Sequence, residues 1–157
     1  MIRRTSQFAL ALAAVATLAT GAASAQVKPE NEIRYRQSVM NVIGRAMGPM
    51  GAMAQGKAPF NAAVVQKNAA LVDTLIQLPF GSFGPGTDKG APTKASEKIW
   101  KEEAKFKAAA EANQKAVAKL AAEAKSGDEA KFKAAFGEVG KTCKACHDDY
   151  QLKEARN

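Results

Sequence analysis

Histidine occurs once in the 157 residues, tryptophan once and cysteine twice. One histidine excludes any metal held between a pair of imidazoles. The cysteines and histidine together fall short of the four ligands that a structural zinc site requires. Neither a carboxylate pair nor a Ser-His-Asp grouping stands out, so hydrolytic and acid–base catalysis have no visible apparatus. Basic and aromatic residues do not alternate and no nucleic-acid motif is present, which leaves a DNA or RNA partner without support despite the net charge of +8. No apolar run reads as a clear membrane span. The best of them, Phe8 to Leu18, is short and rich in alanine.

That run belongs to a targeting segment instead. Arg3 and Arg4 give it a basic start, and Ala23-Ser24-Ala25 offers a small-residue cleavage site. Residues 1–25 are therefore expected to be removed as a secretory signal peptide, with an uncleaved anchor as the alternative. Residues 26–157 remain as one domain. Loss of the two arginines lowers the formal charge from +8 to +6. The lysines are spread among glutamates, which reads as a solvated helix surface. A modest positive field of this kind can still steer an acidic partner.

The scarce residues are concentrated in one place. Both cysteines and the only histidine lie in Cys143-Lys144-Ala145-Cys146-His147. Cys-x-x-Cys-His is the spacing of covalent haem c attachment: each thiol forms a thioether to a vinyl group, and the adjacent imidazole ligates the iron. On a helix, Cys143, Cys146 and His147 stand at i, i+3 and i+4 and share one face. A thioredoxin-like redox motif would want a βαβ setting, and no strand pattern flanks this one. A disulfide across two residues of a helix would be strained and would leave His147 unexplained.

The rest of the chain is rich in Ala, Lys and Glu and reads as helix. A first helix is expected over about 31–56, with Ile33, Arg36, Met40, Ile43, Met47 and Met50 on one stripe and a kink or break at Gly48-Pro49. Arg36 is the charged member of that stripe, either a snorkelling rim residue or the partner of something acidic inside, such as haem propionates. A second helix follows Asn61 as N-cap and stops at Pro79. Its face of Val64, Val65, Asn68, Leu71, Val72, Leu75 and Ile76 is broad enough for a bundle core or a subunit interface. The glycines and prolines of 79–92 predict a crossover, whose Phe80 and Phe83 should fold back onto the core. A third helix from Ser96 to about Gly127 carries Ile99, Phe106, Ala110, Asn113, Val117, Leu120 and Ala124 inward. The fourth, from Asp128 to about Ala155, carries Phe132, Phe136, Val139, Cys143, Cys146 and Tyr150. The pattern predicts an all-α, antiparallel four-helix bundle with one longer crossover between helices two and three. Its alanine-rich interior would be thin without a large insert, and a haem buried in the bundle is one.

Taken together, these features resemble the cytochrome c′ family of periplasmic haem proteins. The likeness rests on Tyr35-Arg36-Gln37-Ser38, on Leu78-Pro79-Phe80 and Phe83-Gly84-Pro85-Gly86-Thr87, and on Phe136-Gly137-Glu138-Val139-Gly140 ahead of the haem motif. It implies a five-coordinate, high-spin iron that binds nitric oxide and carbon monoxide, a role in nitric oxide handling or electron transfer, and a homodimer packed through the first two helices. It further implies Cys143 and Cys146 as thioether cysteines and His147 as the iron ligand. Arg36 and Gln37 fall near the haem propionates, and Met40 covers the open iron face. Two positions depart from the family pattern: Gln151 stands where an arginine or lysine often follows the ligating histidine, and Lys94 where a loop residue is often acidic. No enzymatic turnover is expected, since a peroxidase would want polar distal groups. The competing expectation is a low-spin, six-coordinate electron carrier with Met40 as second axial ligand, serving an unknown redox partner.

Overall fold

The computed structural model describes residues 27–156, so the expected signal peptide lies outside the described residues. Four long helices carry the fold: α1 (Pro29–Ala54), α2 (Ala62–Leu75), α4 (Glu103–Ala124) and α5 (Glu129–Tyr150), with the short α3 (Lys98–Lys101) ahead of α4. They form an all-α bundle. The crossover from α2 holds a 3₁₀ turn over Pro79–Ser82 and a three-residue strand, β1 (Thr93–Ala95). That strand pairs antiparallel with β2 (Gln151–Arg156), Thr93 opposite Arg156 and Ala95 opposite Gln151, with an irregularity between. None of the described helices is long and apolar enough to cross a membrane.

The helix starts obey local chemistry. Asn61 Oδ1 accepts the Val64 N–H at 3.1 Å and Asp128 Oδ1 accepts the Lys131 N–H at 2.9 Å, each satisfying an orphan donor of the first turn. α1 starts on Pro29, whose missing N–H costs nothing at a helix entrance. Gly56 and Gly127 end the preceding helices at φ of 70°, a left-handed turn that favours glycine. Six exposed lysine–carboxylate pairs at i,i+3 or i,i+4 cover α3, α4 and α5, which makes much of the positive charge a solvated helix surface.

Four expectations need correction. Gly48-Pro49 does not interrupt α1, which continues through Pro49 to Ala54. The expected third helix is broken at Glu102, whose φ of −128° and ψ of 44° turn the chain between α3 and α4. The N-cap of α3 is Glu97 rather than Ser96, whose Oγ accepts the Lys98 N–H at 3.3 Å from just ahead of the helix. The last helix stops at Tyr150 rather than near Ala155, because residues 151–156 leave it to pair with β1. On α1, Ile33, Arg36, Ile43 and Met50 of the expected stripe are buried and Val39, Ala46 and Met53 join them, while Met40 and Met47 are only partly buried. The inner stripe of the third helical segment is as expected, with all seven members buried.

Candidate functional site

α5 is unbroken across the motif, so Cys143, Cys146 and His147 share a face. The two cysteines are half-buried free thiols, and His147 is exposed in the last turn, its carbonyl accepting the Gln151 N–H. All three border a cavity of about 640 Å³, within the roughly 300–1,000 Å³ range of small-molecule and cofactor sites. Met40, Ile43 and Met47 of α1 line it as well, and Phe80, Phe83 and Phe106 add aromatic walls. α1 and α5 pack more sparsely than α1 on α2 or α4 on α5, and residues of both helices line the cavity. Small residues help: a Cβ built on Gly44 or Gly140, both of which line the cavity, would meet nothing within 4 Å.

This donor set fits a haem. A flat apolar macrocycle needs an apolar slot, two thiols at its border and an imidazole beside them, and the cavity gathers all of these. Among the described residues no group of three or more His, Cys, Asp or Glu side chains is arranged to hold a bare metal ion. Burial pushes both thiols above their ordinary range; for Cys146 the neighbouring Cys143 and Asp149 push the same way, while for Cys143 a hydrogen bond from Asn113 opposes the rise. A redox-active Cys-x-x-Cys works through a lowered thiol pKa, so the shift runs against that reading.

Arg36 is not a rim residue. It is 4 % exposed, and its guanidinium is turned into the crossover. Nη1 donates to the Ser82 carbonyl at 2.9 Å and to Thr87 Oγ1 at 3.2 Å, and Nη2 to the Thr87 carbonyl at 2.7 Å. Thr93 Oγ1 sits at 3.5 Å from Nη2. The Phe83 ring lies 4.3 Å from the guanidinium carbon, giving the charge an aromatic face. Gln37 makes a parallel tie from the same helix, its Nε2 donating to the Pro92 carbonyl at 2.9 Å. These two residues thus hold the crossover against α1, and both line the cavity. Lys94 and Gln151 line it too, from β1 and β2.

The crossover phenylalanines do fold back. Phe83 meets Phe106 edge-on at 5.0 Å, and Phe106 meets Tyr150 at 5.2 Å. Thr87, Thr93 and Trp100 had no assignable role in the sequence pattern. Trp100 Nε1 donates to the Gly84 carbonyl at 3.1 Å, so the Phe83–Thr87 segment is gripped from α1 and α3 together. The signal was present as the run Phe83-Gly84-Pro85-Gly86-Thr87, but nothing in it named its partners.

Comparison with known proteins agrees with this geometry. Residues 31–151 match the family model described as Cytochrome C'. The chain is 52% identical to cytochrome c' of Rubrivivax gelatinosus over 126 residues, 80% of this chain and 98% of that one, and the crystal structure of that protein superposes with a TM-score of 0.78. Cytochrome c' of Alcaligenes xylosoxydans is 42% identical over 81% of this chain and 98% of its own. A nitric oxide complex of a variant of that relative matches with a TM-score of 0.75.

Proposed function

The chain belongs to the cytochrome c′ family, and from that premise we propose an exported, periplasmic haem protein that binds nitric oxide or carbon monoxide at a five-coordinate, high-spin iron and can pass single electrons. The family holds its haem c covalently through cysteines, and Cys143 and Cys146 are the two this chain has. The observation that carries the proposal is the cavity itself, bordered by both thiols and His147 of α5 and by Met40 of α1. When bound, haem supplies a redox-active iron that takes a diatomic gas; the remaining work is done by this chain's residues. In the proposal Cys143 and Cys146 fix the cofactor, His147 is the axial ligand, and Met40 is an apolar, movable cover. Arg36 and Gln37 hold the crossover wall where the cofactor's carboxylates would be met. The relative crystallised with nitric oxide supports a gas as the ligand.

A homodimer through the first two helices completes the reading. Tyr35 and Val42, seven residues apart on α1, are each 44% exposed, and Leu71 of α2 is 40% exposed, which leaves apolar surface on both helices.

The test is the optical spectrum of the purified protein, with and without carbon monoxide and nitric oxide. A high-spin resting spectrum that shifts with each gas is the expected result. His147→Ala should alter the resting spectrum grossly while the covalent haem mass is retained. A low-spin resting spectrum that is indifferent to both gases would overturn the proposal.

A further inference from the structure

Asn113 is the one polar residue in the inner stripe of α4, and it is 4 % exposed. Burying an amide costs free energy unless its donors and acceptors are met, so a lone asparagine among Phe106, Ala110, Val117 and Leu120 requires a reason. Its Nδ2 donates to Thr142 Oγ1 at 2.9 Å and lies 3.3 Å from Cys143 Sγ. Both acceptors sit on α5, at and just before the first cysteine of the motif. Thr142 in turn donates to the Val139 carbonyl at 2.9 Å, so the hydroxyl is fixed before it receives the amide. Asn113 also lines the cavity. The amide therefore crosses from α4 to α5 at the point where the chain presents its first sulfur.

We propose that Asn113 is a positioning residue of the haem site: its buried amide ties the Thr142–Cys143 turn to α4 and donates to the sulfur that forms the first thioether. The covalent step is a thiol addition across a vinyl double bond. The sulfur–carbon bond forms at the inner carbon, the thiol hydrogen ends on the terminal carbon, and no electrons are gained or lost. The sulfur keeps a lone pair for Nδ2–H before and after that addition, although a thioether is a weak acceptor. The Thr142 branch of the contact is untouched by the chemistry. Asn113 thus sets the side-chain direction of Cys143 and the register of α5 on α4, and through α5 the placement of His147 one turn on.

The proposal rests on the haem reading, and its test separates the two. Asn113→Leu keeps the branched shape and heavy-atom count of the side chain, can place its extra bulk toward the cavity that Asn113 lines, and leaves Thr142 its bond to Val139, so the variant is expected to fold. Asn113→Gln keeps the N–H donor. Intact mass and peptide mapping of the holoproteins report whether both thioethers are present, and resonance Raman reports the carbon–sulfur stretch of Cys143, assigned against Cys143→Ser. We expect the Cys143 stretch to shift in Asn113→Leu, or that thioether to be lost in part, and the wild-type behaviour to return in Asn113→Gln. A purely structural role would lower thermal stability without moving that band. Two intact thioethers and an unmoved band in Asn113→Leu would overturn the clamp and leave the haem reading standing. Wild-type protein without covalent haem would overturn both.

Discussion

The two ends of the bundle are built on different principles. At one end the termini of α1 and α4 meet the starts of α2 and α5, and Met50, Val65, Leu120 and Phe132 are each no more than 1 % exposed. Phe132 stacks obliquely between Phe60 at 5.8 Å and Phe136 at 5.7 Å. Nothing further is needed there; the side chains complete one another. At the other end Met40, Met47, Cys143 and Cys146 stay partly buried around a cavity of about 640 Å³. Order at that end comes from polar ties and aromatic edges: Arg36 and Gln37 into the crossover, Asn113 into α5, Phe83 on Phe106. One end is closed by the chain alone, and the other is shaped around something the chain does not encode.

The contrast can be broken hardest at the closed end. Phe132→Ala should cost about 3–5 kcal/mol, since it removes a fully buried ring from a region with no slack to collapse. Denaturant melts followed by far-UV circular dichroism measure it. The optical response of the holoprotein to carbon monoxide should stay as in wild type. If that response changed as much as the stability did, the two ends would not be separable.

Arg36→Met probes the open end with a smaller effect. The substitution keeps an unbranched apolar stem but strips the carbonyls of Ser82 and Thr87 of a buried charged donor. A loss of about 2–3 kcal/mol is expected, because an unpaired buried acceptor bears its desolvation cost in full. Limited proteolysis should then cut first within residues 79–92. Loss of stability without new cleavage in the crossover would mean that Trp100 and the phenylalanines hold that segment unaided.

The same contrast decides how much the sequence made legible. At the closed end periodicity was sufficient, and Val117, Leu120 and Ala124 fell on the buried face as expected, because core burial and the 3.6-residue repeat demand the same residues. Asn61 was legible as an N-cap and Asp128 as the start of the last helix for the same local reason. At the open end the haem motif was legible as chemistry, but its surroundings were not. The stripe on α1 merged two faces, one toward the neighbouring helices and one toward the cavity, since Met40 and Val39 are equally apolar. Gln151-Leu152-Lys153-Glu154 has helix-forming composition, and only the arrival of Thr93–Ala95 from a distant part of the chain makes it a strand. The Arg36 ties span 46 to 57 residues of sequence, a range over which no local pattern operates.

Met40 gives the smallest change in stability and the clearest discrimination between the two chemistries open to this end. It packs against the main core cluster yet faces the cavity, so truncation enlarges a space that already exists. Met40→Ala should therefore cost only about 1 kcal/mol, below the usual range for a fully buried methionine. Its effect on gas binding should be larger than its effect on folding. If the side chain is an apolar cover, a gas must push it aside to reach the iron, and the flexibility of methionine makes that displacement possible but not free. Removing about 1.4 kcal/mol of that barrier would speed association about tenfold, measured by stopped flow with carbon monoxide. The resting spectrum should not change, because a cover contributes nothing to ligation. A thioether bound to the iron predicts the reverse: a methionine–iron charge-transfer band in the wild type that vanishes in Met40→Ala. That result would make the open end as complete in its ligands as the closed end is in its packing, and the protein would be an electron carrier closed to gases.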